Sequence, residues 1–248
     1  MKKATLFLLI SVSILACSND VESVMPSGEK TVRNFSLADF DKIEIKGDVN
    51  VHLSRADENN ISAETYENVF DCLEIYVDKR TLNVKIRKMV VFDKDPEITV
   101  NIAVGGKLQQ LKVSESAKID TGDAFFFTDD LSVEVESMAR IKAQFDVSKI
   151  SLDFENADVS ELDIRCSEID IETEAGKALS LQGTGQNCKL EMQSGAILNG
   201  FDFTVSSVNA ELWDASRAEM TVLKSIKAKL YGNSVFEYKG DPEVVEIK

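Results

Sequence analysis

The sequence predicts an all-β protein, a single-stranded β-helix (β-solenoid) of about seven coils of ~19 residues, preceded by a β-strand region that covers the first coil. Three observations predict it. Strand starts at Leu111, Leu131, Ile150, Ile169, Cys188, Val208 and Ile226 follow one another at steps of 20, 19, 19, 19, 20 and 18 residues. From each start the apolar residues alternate, through Val113, Val133, Leu152, Ile171, Leu190, Ala210 and Ala228, and then Glu115, Val135, Phe154, Thr173, Met192, Leu212 and Leu230. Period-two alternation buries one face of a strand and wets the other. Two residues further on stand Ala117, Ser137, Asn156, Ala175, Ser194, Asp214 and Gly232, all small or turn-prone, as a corner requires. A lone coil cannot bury its apolar edge, whereas stacked coils join those edges into one core. An antiparallel sandwich also uses strands and turns but gives no reason for a near-constant step.

The elements follow in chain order. Residues 1–17 read as a secretion signal and lipidation cysteine: Lys2 and Lys3, the apolar "ATLFLLISVSIL", then "ILAC". The apolar run is too short to span a bilayer as a stable helix. "ILAC" resembles the bacterial lipobox, which implies lipid on Cys17 and a membrane association through that anchor alone. Residues 18–34, polar and without apolar period, read as a flexible tether; Asp20 and Glu22 resemble the export tags of surface lipoproteins in Bacteroidetes. Residues 35–105 alternate like the repeats but lack their step, and read as an N-terminal β region. Residues 106–248 hold the solenoid repeats. The expected location is the cell envelope, at the outer membrane and on the surface side.

Hydrophobic residues make up 44% of the chain, with only 3 Pro and 12 Gly, so a disordered reading fails. Net charge is −15 over the full sequence. Loss of Lys2 and Lys3 with the signal leaves 26 basic against 43 acidic residues. Such a surface repels phosphates, which excludes nucleic acid as a partner.

Catalytic and metal chemistry find little support. His52 is the only histidine and lies in the alternating "VNVHLS" on its polar side, so a His-based triad has no motif and zinc no cluster. Cys188 stands in the first apolar column and Cys166 at the end of another strand, on different faces. With Cys72 they read as unpaired, buried thiols. "DTGD" at 120–123 and "DKD" at 93–95 match no calcium loop and read as turns. No cofactor is expected.

The register makes sharper statements about the surface. Ser114, Glu134, Asp153, Glu172, Glu191, Glu211 and Lys229 should point outward in one column, with Glu136, Glu155, Glu174, Gln193, Trp213 and Tyr231 beside them. The acids Glu134, Glu136, Asp153, Glu155, Glu172, Glu174, Glu191 and Glu211 thereby share one face. Two readings stay open for that strip: a solvated face that opposes aggregation, or a contact for divalent cations or a basic partner. Glycoside hydrolysis needs one carboxyl held protonated in a cleft opposite another, which a flat sheet does not offer, so no catalytic residue is assigned. Trp213, the only tryptophan, should lie beside Tyr231 one coil on, with Gln193 one coil before. The aromatic pair supports a sugar ring or an apolar partner, or is covered by the tail "GDPEVVEIK".

Two stretches carry a family resemblance: "FDKIEIKGDVNVHLSRADENNISAETYENVFDCLEIYVDKRTLNVKI", 40–86, and "LYGNSVFEYKGDPEV", 230–244. With the repeat between them they resemble the auto-transporter adhesin, head GIN domain family of secreted and lipid-anchored bacterial proteins, over about 35–248. The resemblance implies a β-helical fold and an adhesin-type role without an identified ligand; the Trp213–Tyr231 end and the neighbouring acid strip are the expected contact surface, for a carbohydrate or a surface protein, and a spacer without a ligand of its own is the structural alternative. This chain departs from the family's Gly- and Ser-rich corners by carrying acids and bulky residues.

Overall fold

The computed structural model describes residues 21–248, so the signal segment and Cys17 lie outside the described residues. The described chain is strand almost throughout. Its first part runs β1 (Glu22–Val24), β2 (Lys30–Phe35), β3 (Lys42–Lys46), β4 (Asn50–Arg55), β5 (Asn60–Tyr66), a 3₁₀ turn over Glu67–Cys72, β6 (Leu73–Asp78), β7 (Thr81–Ile86), β8 (Val90–Phe92) and β9 (Thr99–Val104). Then come β10 (Gln110–Ser114), β11 (Lys118–Glu136), β12 (Arg140–Glu155), β13 (Ser160–Glu174), β14 (Ala178–Gln193), β15 (Ile197–Leu212), β16 (Arg217–Leu230), β17 (Val235–Lys239) and β18 (Val244–Ile247).

From β10 onward the chain is the solenoid that the repeat predicts. Each long strand contributes its second half to one parallel ladder and, before a bend, its first half to another. The first ladder stacks Leu131 on Ile150, Ile169, Cys188, Val208 and Ile226, the predicted apolar column. The second ladder stacks Phe126 on Phe145, Ile164, Gly183 and Phe203. Their inward residues form one continuous core. At ~4.8 Å between neighbouring strands, seven coils extend about 34 Å.

The predicted corners are turns of left-handed backbone. Ser137, Asn156, Ala175, Ser194, Asp214 and Gly232 have φ between 50° and 60°. In most of them the next residue is left-handed too, as at Met138, Gly195 and Ala215. The amides of Ala139, Ala196 and Ser216 close the turns onto the carbonyls of Glu136, Gln193 and Trp213. Positive φ at both central positions is the type I′ pattern. Left-handed backbone costs a non-glycine residue about 1–2 kcal/mol. Hydrogen bonds between successive turns offset it: Ser137 donates to the Glu155 carbonyl (3.1 Å) and Asn156 to that of Glu174 (3.0 Å).

The first coil departs from the predicted register. Leu111 pairs with Val133 and Val113 with Val135, a shift of two residues from the expected alignment. The polar Glu115 therefore leaves the apolar column and becomes the left-handed corner residue, at φ 57°, in place of Ala117. Ser114 turns from the expected outward column into a buried position, and Lys112 stands where Ser114 was expected. The cause is a bulge in β11. Asp120 pairs with Lys142 and Phe125 with Gln144, five residues against two, so the extra residues lengthen this coil alone.

The region 35–105 covers the first coil and adds one more. Strands β3 and β4 stack in parallel on β10 and β11, Ile43 against Leu111, Ile45 against Val113 and Val51 against Ile119. The step from Ile43 to Leu111 is obscured because β5 to β9 are inserted between. Of these, β7 and β9 extend the two ladders in parallel, and β6 and β5 close them in antiparallel pairs, with β2 outside β5. The stretch expected to be a tether is ordered in its described part: β1 pairs with β8, and β2 with β5.

Candidate functional site

The outer face of the first ladder carries the predicted acid column in its predicted order. Glu134, Asp153, Glu172, Glu191 and Glu211 are successive register partners, and Glu136, Glu155, Glu174 and Gln193 run beside them. Lysines bracket the strip. At one end the Lys112 ammonium donates to both Glu134 and Glu136, 2.7 Å each. Toward the other, Lys189 contacts Glu191 (2.8 Å) and Asp170 (3.6 Å), and Lys229 contacts Glu211 (2.6 Å). Among the described residues, Asp153, Glu155, Glu172 and Glu174 in the middle have no lysine or arginine within 4.0 Å.

Two carboxyls of the strip, Glu134 and Asp153, shift in opposite directions. Hydrogen bonds from Lys112 hold the Glu134 carboxyl below its usual range, while partial desolvation pulls the other way. Asp153 is raised, first by partial desolvation and then by the charges of Glu172, Glu134, Glu136 and Glu155. The carboxylates project in parallel from one sheet. Among the described residues, no three His, Cys, Asp or Glu side chains converge to hold a metal ion.

Where the strip meets the C-terminal coils, the turn column becomes Gln193, Trp213 and Tyr231. Each opens a corner, and backbone bonds fix two of them: the Trp213 amide donates to the Met192 carbonyl and that of Tyr231 to Leu212, 2.8 Å each. The Ser216 and Ser234 hydroxyls cap the Trp213 and Tyr231 carbonyls at 2.6 Å. The two rings stack with centroids 5.7 Å apart and planes 11° from parallel, as the register predicts. Tyr231 is 47% exposed. The described tail lies beside the pair rather than over it, since β18 pairs with Ser225–Ala228. Glu172, Glu191, Gln193, Trp213 and Asp214 line a shallow depression of about 260 Å³, which joins the aromatic stack to the acid strip.

The other sequence candidates behave as structural residues. His52 is exposed on β4, flanked in register by Asn101 and Asp120. Cys72, Cys166 and Cys188 are unpaired. Burial pushes the Cys166 thiol up to about 11 and that of Cys188 higher still, which leaves little thiolate for chemistry at neutral pH. "DTGD" is the bulge of β11, where Asp120 accepts a hydrogen bond from the Gly122 amide (2.6 Å).

Sequence reasoning missed a second surface feature, on the outer face of the second ladder. The bulge at Thr121–Ala124 and another in β15, where Gln182 pairs with Asp202 after Ser180 with Asn199, flank a depression of about 260 Å³. Gln144, Asp163, Gln182 and Asn199 are among its lining residues. The departures from a step of 19 residues were the available signal.

Among solved structures, the chain is similar to a Parabacteroides distasonis protein described as a putative lipid binding protein, at TM-score 0.82 and 14% identity, covering 91% of this chain and 96% of that one. It is also similar to a putative adhesin of Parabacteroides merdae, at TM-score 0.81 and 18% identity, over 92% and 97% of the two chains. A putative adhesin of Bacteroides fragilis follows at TM-score 0.70 and 16% identity, over 90% and 94%. At these identities the likeness establishes the fold. No curated protein sequence matches the chain. Residues 39–242 match the family model described as "Putative auto-transporter adhesin, head GIN domain", and the chain belongs to that family.

Proposed function

We propose that this chain is a non-enzymatic adhesion module of the cell envelope, anchored by lipid on Cys17, whose contact surface is the Gln193–Trp213–Tyr231 column and the acid strip beside it. The observation that carries the reading is the exposed, stacked aromatic pair, which shares a depression with Glu172, a carboxylate of the lysine-free middle of the strip, and with Glu191, which Lys189 holds. Aromatic rings supply apolar contact area, and unpaired acids supply charge complementarity to a basic protein on a neighbouring surface. A surface carbohydrate is the second reading, favoured by the Gln193 amide beside the Trp213 ring. The absence of an opposing wall across the strip supports a non-enzymatic role, since paired carboxyl chemistry acts across a substrate.

The test is the double variant Trp213→Ala, Tyr231→Ala, with the full chain displayed on cells. Adhesion to a surface coated with a basic protein should fall at least about tenfold, the consequence of losing about 1.4 kcal/mol of binding. Adhesion equal to that of the parent chain would remove this surface from consideration. Cys17→Ser should release the protein from the membrane fraction, and retention there would refute the lipid anchor.

A further inference from the structure

The depression on the second ladder has the construction of a binding subsite. Its floor is three successive coils. Register places Phe125, Gln144, Asp163, Gln182 and Asp202 in one outward column, so amide and carboxylate alternate at the coil spacing of ~4.8 Å. The two bulges lie at opposite ends of that column, and bulges concentrate where a strand re-aims side chains beside a functional surface.

The polar groups are held in place before any ligand arrives. The Gln144 side-chain amide donates to the Gly122 carbonyl of the bulge (3.3 Å), and the Gln144 backbone amide donates to Thr121 Oγ1 (3.2 Å). Gln182 Nε2 donates to Asp163 Oδ2 (2.9 Å). Outside the depression, the Arg165 guanidinium lies 4.3 Å from the centre of the Phe125 ring, which heads the same outward column.

We propose that this depression binds a neutral carbohydrate, with a sugar ring seated between the bulges. Planar amides and carboxylates offer the adjacent donors and acceptors that neighbouring hydroxyls on a sugar ring require. Glu161, Asp163 and Asp202 outnumber Lys142 in the lining, which disfavours phosphorylated or uronic ligands. At about 260 Å³ the volume falls just below the ~300–1,000 Å³ range of ligand pockets, matching a single ring of a longer chain rather than a whole oligosaccharide. Fixed side chains reduce the ordering cost of binding. The site is separate from the Trp213–Tyr231 surface, and its variants leave that surface intact.

The experiment exposes the purified full chain to an array of neutral and acidic oligosaccharides, then measures affinity for the neutral probes retained. Gln144→Ala with Gln182→Ala should lower that affinity about tenfold or more, the loss of at least ~1.4 kcal/mol. Asp163→Asn, which removes an acceptor with almost no change of shape, should weaken binding in the same direction. Both changes are on the outer face, and an unaltered thermal transition verifies folding. Trp213→Ala with Tyr231→Ala should leave neutral-sugar affinity within about twofold. Retention of acidic probes alone, no retained probe, undiminished affinity in both groove variants, or loss only in the aromatic double variant would each overturn the proposal.

Discussion

The two ladders are built from the same strands yet obey different rules. In the first, every coil from Leu131 to Ile226 keeps its register, the corners repeat one left-handed turn, and the outward columns carry one kind of residue for several coils. In the second, β11 and β15 bulge, the core column runs from Phe145 through Ile164 and Gly183 to Phe203, and the outward residues alternate in chemistry. Regularity in one half of each coil leaves the other half to absorb every insertion. An extra residue in a regular ladder would turn the apolar set of that coil outward. A bulge confines the disturbance and produces relief on an otherwise flat face.

Breaking the second ladder's core should give the largest effect. Phe203 is fully buried, and a Cβ placed on Gly185 would lie 3.2 Å from its ring. Phe203→Ala should destabilise the chain by about 3–5 kcal/mol in denaturant unfolding. Gly183→Ala should follow, at about 2 kcal/mol or more, because φ is 111° and the new Cβ would stand 2.1 Å from the Ile164 carbonyl oxygen. The first ladder reverses that glycine rule. Ser137→Gly relieves left-handed strain in a turn already formed, and stability should rise by about 0.5–1 kcal/mol, read from the same unfolding curves. A loss of stability there would mean that the Ser137 side chain matters more than its backbone.

The acid strip sharpens the comparison by pH. Glu134, held low by Lys112, contributes stability that is present above its unfolded pKa and lost as pH falls through the folded one. Asp153, raised, acts oppositely: its contribution is full below the unfolded pKa and disappears as pH rises through the folded value. Asp153→Asn should therefore stabilise the chain near neutral pH, by about 0.5 kcal/mol on a partly wet surface. Lys112→Met should destabilise it near neutral pH by up to ~1 kcal/mol and flatten the loss of stability on acidification. Thermal melts between pH 3 and 8 check both signs.

Much of this was legible because a solenoid converts equal sequence offsets into spatial neighbours. The columns at Leu131, Leu152 and Phe154, the acid strip and the Trp213–Tyr231 stack all follow from a constant step and a two-residue alternation. The correspondence breaks where the offset changes. The bulge in β11 moved Leu111 against Val133 and put Glu115 at a corner, although a polar residue in an apolar column had already marked the misfit. The coil formed by β3 and β4 was hidden by the inserted strands between it and β10.

What the sequence determined alone is the alternation, the step and the composition of each outward column, since these depend on local pleat and on the equivalence of successive coils. Only the tertiary structure decided which residues close the open end, where the bulges fall, and that two of them face each other across three coils. Those depend on pairing between segments far apart in the chain, and a bulge leaves no local pattern beyond a changed count of residues.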